Sequence, residues 1–214
     1  LYLALTALGT AAAIIPAACT EAAASEELRY SYPNIFDISY TPDTLHRCTG
    51  WFTDAGAWFG FTAPEKEAWT NGFCGPFSLD MNRRQWLAKT AVAVIPQNGK
   101  TAAQTDSVCY YPGELRMISG FQDGEVTQRL NFINANSALL TIDNPAGKEL
   151  SYTGIDWAPE ISLSLQGNTV VASHPTGETV ALTFSPDVEI SVADHNYHAE
   201  APKHDKDYVV ISMF

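Results

Sequence analysis

Trp51, Trp58, Trp69 and Trp86, four of the chain's five tryptophans, fall between Gly50 and Trp86 beside the acids Asp54 and Asp80. An indole presents a broad apolar face that stacks on the C–H face of a sugar ring, and a carboxylate accepts hydrogen bonds from its hydroxyls. Gly56, Gly60, Gly72, Gly75, Pro64 and Pro76 are interspersed among them. Such a mixture favours irregular backbone that holds rings near water over a regular core helix. Trp51, Asp54 and Trp58 are the residues expected to face a ligand, an oligosaccharide or polysaccharide. The competing reading is that large aromatics in a strand-rich chain fill its core.

Glycoside hydrolysis requires two carboxyl groups, one a general acid and one a base or nucleophile, at a separation that sets the stereochemical outcome. Asp54 and Asp80 are the pair this stretch supplies. Acids in loops rich in glycine and proline also cap backbone N–H groups, and spacing along a chain does not give a distance. Catalytic residues are therefore left unassigned.

A second chemical group is the run Asp194 to Asp207, DHNYHAEAPKHDKD, with His195, His198 and His204 among Asp194, Asp205 and Asp207. Imidazole and carboxylate together can ligate a divalent cation. The run also carries Lys203 and Lys206 and lies between two apolar segments, so it reads as a solvated loop and no metal is expected. No GxSxG elbow, no GxxxxGK[ST] loop and no CxxC pair occurs, so no cofactor is expected either.

Charge narrows the partners. Twelve Lys and Arg stand against 24 Asp and Glu, a net charge of −12, which opposes nucleic acid and anionic membrane surfaces and is compatible with a neutral glycan. The 46% hydrophobic content is ample for a buried core in 214 residues.

Residues 1–19, LYLALTALGTAAAIIPAAC, form an apolar, alanine-rich run with no Lys or Arg before Arg29, and read as the core of a signal peptide. A retained membrane anchor is the alternative. Cys19 after Ala17 and Ala18 fits a bacterial lipobox, with Pro16 where that motif carries Leu, Val or Ile; cleavage near Ala22 to Ala24 is the other option. Export to the periplasm or outer membrane follows, with a lipid on Cys19 as the membrane attachment. Residues 20–27 read as a tether and 28–214 as one domain. That domain is expected to be truncated at its C-terminal end, because Tyr208 to Met213 has strand composition and no polar tail follows. Beyond the leader Cys48, Cys74 and Cys109 remain, enough for at most one disulfide.

The elements that must position these groups are strands. Val126, Gln128, Leu130 and Phe132 alternate with Thr127, Arg129 and Asn131; Ile161, Leu163 and Leu165 alternate with serines; Val180, Leu182 and Phe184 repeat the pattern. Pro112-Gly113, Asn144-Pro145, Gly167-Asn168, Thr176-Gly177 and Pro186-Asp187 separate such segments as turns. Trp86 to Ile95 also reads as strand, its β-branched residues outweighing its alanines. Short strands at this spacing without an amphipathic helix define an all-β antiparallel sandwich.

GWFTDAGAWFGF, GFCGPFSLDMNRRQWLA, YYPGELRMISGF and VTQRLNFINANSALLTIDN together resemble the N-terminal β-sandwich region of exported bacterial glycoside hydrolases. The group is the six-hairpin one, trehalase and α-glucosidase-like, and the resemblance extends over most of the chain after the leader. It implies a supersandwich-like domain that precedes a toroid of paired helices, with the catalytic acid and base on that toroid. The function it implies is that of an accessory domain whose partner is a C-terminal catalytic domain lying beyond Phe214. A non-catalytic carbohydrate-binding surface lipoprotein is the alternative.

Overall fold

Period-two burial organises the chain: along residues 124–134 Val126, Gln128 and Leu130 are buried while Thr127, Arg129 and Asn131 turn to the other face. The computed structural model describes residues 51–64, 70–79, 84–96, 104–121 and 124–214. All of them belong to the unit Asn34–Phe214.

The tryptophan-rich half supplies β1 (Phe59–Thr62), β2 (Cys74–Ser78), β3 (Gln85–Trp86) and β4 (Ala88–Pro96). A meander follows, β5 (Gln104–Tyr111), β6 (Glu114–Phe121), β7 (Gly124–Asn134) and β8 (Ser137–Asp143). After β9 (Leu150–Trp157) come β10 (Ser162–Gln166), β11 (Thr169–Ser173) and β12 (Thr179–Phe184), the hairpin β13 (Glu189–Ala193) and β14 (Asn196–Ala201), and finally β15 (Lys206–Met213). No helix long and apolar enough to cross a membrane occurs among the described residues.

These strands form two sheets that pack face to face as a β-sandwich. The larger has the order β10-β11-β12-β15-β8-β7-β6-β5 and is antiparallel throughout. The smaller runs β1-β2-β4-β9-β14-β13 with β3 attached to β2, and its one parallel contact is the pair Gly75 and Thr90. One apolar cluster fills the space between them, with Val92, Val94, Leu150 and Tyr152 of the smaller sheet against Leu140, Ile142, Leu182 and Ile211 of the larger. Each such side chain contributes roughly 1.5–3 kcal/mol by leaving water. Gln128 is a buried polar residue on the inward face of β7, and its amide donates to the Asn71 carbonyl at 2.9 Å.

The expected strands and turns are present at Pro112-Gly113, Gly167-Asn168 and Pro186-Asp187. Two expectations change. The tryptophan-rich stretch is less irregular than its glycines imply, since it contributes β1, β2 and β3. The run Asp194 to Asp207 is not a loop throughout: Asn196–Ala201 is β14, with Tyr197, Ala199 and Ala201 buried and His198 and Glu200 exposed. Its period-two pattern was masked by the small alanines, which carry little hydrophobic signal. The leader with Cys19, the tether, Cys48 and the Leu28 to Tyr40 segment lie outside the described residues.

Candidate functional site

Trp51 is placed by its neighbour. Phe52 forms a bridge with Phe61, its N–H donating at 2.8 Å and its carbonyl accepting at 3.0 Å, so the segment runs antiparallel beside β1. Phe52, Phe59 and Phe61 all point into the core, which sends Trp51 and Gly60 to the opposite face. There the Trp51 ring lies on the bare Gly60 backbone: a Cβ at Gly60 would sit 3.0 Å from its Cε3 atom.

Strand register completes the arrangement. Gly60 pairs with Phe77 of β2, and Phe77 pairs with Trp86 of β3. The Trp51 and Trp86 rings are stacked, with centroids 5.4 Å apart and planes inclined by 18°. Phe77 closes the group at 4.7 Å from Trp51 and 5.1 Å from Trp86. All three are half-buried and none belongs to the core cluster. This is an aromatic row on the outer face of the smaller sheet.

Asp54 and Trp58 take other positions. Asp54 is exposed at the start of a tight turn, where its carbonyl accepts from Ala57 N–H at 2.9 Å and its Oδ1 accepts from Ala55 N–H at 2.7 Å. Ala55 and Gly56 both have positive φ, 52° and 72°, the pairing of a type I′ turn. Its Oδ2 approaches the β5–β6 turn, 3.4 Å from where a Gly113 Cβ would stand. Trp58 is half-buried and packs against the core, its ring edge-on to Phe59 at 6.3 Å. The structure thus joins Trp51 to Trp86 and sends Trp58 to a different environment. Trp69 and Asp80 lie outside the described residues, and Cys74 and Cys109 are half-buried and not joined to each other.

Phe77 is the member that sequence reading missed, because its place depends on the pairing of β2 with β1 and β3, which no local pattern reports. The histidines separate. His195 is exposed in the β13–β14 turn and His198 is exposed on β14 beside Glu200, at 3.1 Å. Of these three, His204 is the one that meets two carboxylates, those of Asp187 and Asp207. Asp187 lies in the β12–β13 turn, and in the sequence Pro186-Asp187 carries only a turn signal.

Fold and site define an all-β two-sheet sandwich bearing an outward aromatic row. No family model and no curated protein matches the sequence. Among solved structures the chain is similar to one described as a heparinase III gene product with methylated lysines, at 10% identity and a TM-score of 0.43. The match covers 93% of this chain and 41% of that one, so this chain spans less than half the length of that protein.

Proposed function

We propose that this chain is a non-catalytic accessory β-sandwich of an exported glycoside hydrolase, and that its aromatic row contacts a neutral oligosaccharide or polysaccharide. The observation that carries this reading is the stacked pair Trp51 and Trp86, held with Phe77 on the outer face of the smaller sheet. Rings placed there do not fill the core, and an outward indole surface is the chemistry that recognises the C–H face of a pyranose. Asp54 lies three residues from Trp51 and is exposed, which suits it to accept a sugar hydroxyl. Trp58 acts in this scheme from beneath, by packing the turn that carries Asp54 onto the core. The net charge of −12 favours an uncharged glycan over a polyanionic one.

Binding of the purified chain to a panel of neutral polysaccharides, by affinity electrophoresis and calorimetry, tests the reading. Trp51→Ala and Trp86→Ala should each weaken binding about tenfold or more, the equivalent of about 1.4 kcal/mol. The chain alone should hydrolyse no glycoside. Unchanged affinity in both variants, or turnover lost in Asp54→Asn, would overturn it.

A further inference from the structure

We propose that Asp187, His204 and Asp207 form a binding site for one divalent cation of the zinc type, which clasps the β12–β13 turn and the β14–β15 connection onto β15. One ligand atom from each of the three residues lies within 4.8 Å of the other two. His204 Nε2 is 3.2 Å from Asp187 Oδ2, and His204 Nδ1 is 3.7 Å from Asp207 Oδ1, so the carboxylates face different ring nitrogens and one ion held by Nδ1 and Asp207 requires the exposed Asp187 side chain to turn towards it. The second separation is too long for a hydrogen bond.

Asp207 is what turns a surface cluster into a site. It is 2% exposed, and its two oxygens have different fates. Oδ2 accepts a hydrogen bond from the Tyr152 hydroxyl at 2.9 Å, whereas Oδ1, buried on the side towards His204, has no hydrogen-bond partner. A buried carboxylate oxygen without a donor is costly, and a cation between Oδ1 and the imidazole supplies what is missing. Tyr152 then acts as the outer hydrogen bond that fixes a ligating carboxylate.

The remaining ligands are also held. Asn144 is buried, and its side-chain amide donates to the His204 carbonyl at 2.9 Å while its backbone N–H donates to the Asp205 carbonyl at 2.7 Å. Asp187 sits in the turn that closes on the Ser185 carbonyl through Val188 N–H at 3.2 Å. Beside it opens a cleft of about 240 Å³ lined by Glu149, Glu189, Glu200 and Asp187 itself, an acidic approach that concentrates cations.

The donor set selects the ion. One imidazole nitrogen with two carboxylate oxygens suits zinc and its first-row neighbours, whereas calcium takes six to eight oxygens. Three protein ligands leave a fourth tetrahedral position open to solvent. The alternative, a charged His204 bridging two carboxylates, requires no metal and leaves Asp207 Oδ1 without a donor in hydrogen-bond range.

The test uses the tag-free chain, stripped with chelator and then titrated with zinc chloride, followed by calorimetry and thermal unfolding. Zinc should bind at one equivalent and raise Tm by about 5–10 °C at a hundredfold excess over Kd. Cobalt(II) in its place should give the visible absorption of a tetrahedral centre. Both signals should vanish in His204→Ala, a half-exposed position whose replacement leaves the core intact, and survive in His198→Ala. Absence of a one-equivalent zinc transition, or an equal shift in His204→Ala, would overturn the proposal, the latter by placing the ion elsewhere.

Discussion

The Tyr152 hydroxyl on β9 of the smaller sheet donates to Asp207 Oδ2 on β15 of the larger, 2.9 Å across the interior of the sandwich. Tyr152 is fully buried, and burial, reinforced by the charge of Asp207 and by the hydrogen bond to it, holds its phenol far above the ordinary range. Tyr197 on β14 behaves alike, its phenol raised by burial while it donates to the Ala91 carbonyl at 2.8 Å. Tyr152 therefore fastens the two sheets across the apolar layer, whereas Tyr197 ties β14 to β4 within the smaller sheet, both as neutral phenols.

The sign of the pH dependence follows. A phenol that keeps its proton when folded and loses it near pH 10 when unfolded contributes stability that is complete below about pH 10 and falls above it. Each of the two should lower stability by up to about 1.4 kcal/mol per pH unit in that range. Urea unfolding between pH 9 and 11 checks this. Tyr197→Phe should cost about 1 kcal/mol at pH 8 by leaving the Ala91 carbonyl unpaired, yet show a shallower alkaline decline. An equally steep decline would place the titration elsewhere.

Gly60→Ala should disturb the aromatic row without unfolding the sheet. The new methyl would meet Trp51 Cε3 at 3.0 Å and the Phe52 carbonyl at 3.1 Å, so the indole must give way by a few tenths of an ångström. A loss of about 1 kcal/mol is expected, with a shift in tryptophan emission as the Trp51 and Trp86 stack opens. Emission identical to the parent would show that the ring does not depend on the bare backbone beneath it.

Much of this fold is legible in the sequence because period two is a local signal. Val126 to Phe132 and Val180 to Phe184 announce their buried faces in the order in which they occur. Asn196 to Ala201 hides the same pattern, since two of its three inward residues are alanines. The pairing of strands is not local. Nothing near Phe77 shows that Gly60 flanks it on one side and Trp86 on the other, so the row emerges only with the register. Likewise Asp187 reaches His204 because β12 neighbours β15 in the larger sheet while β13 neighbours β14 in the smaller, a juxtaposition no spacing rule contains.

Gly72→Ala should be far more damaging than Gly167→Ala. A Cβ at Gly72 would lie 2.1 Å from the Val92 carbonyl oxygen and 2.7 Å from Thr90 Cγ2, where β4 backbone cannot yield cheaply. About 3 kcal/mol of destabilisation is expected from such overpacking. At Gly167 there is open space, and the cost is the positive φ of 62°, about 1 kcal/mol for an L side chain. Chemical denaturation of the pair ranks them; equal losses would show that β4 moves aside.

Asn144→Ala should loosen the β14–β15 connection at its root. The Asn144 side chain donates to the carbonyls of Lys148 and His204, at 2.8 and 2.9 Å, and accepts from Lys148 N–H at 3.2 Å. It is 1% exposed, and its removal leaves two part-buried carbonyls without this donor. A loss of about 2 kcal/mol follows, larger than for a surface turn residue. Asn144→Asp retains the acceptor and removes the donors, so it should be close to alanine in stability. Hydrogen exchange should rise at the residue-144 N–H, which donates to the Asp205 carbonyl, and at the Lys148 N–H, and stay protected along β12. Protection unchanged at Lys148 would show that the turn after β8 holds itself without the side chain.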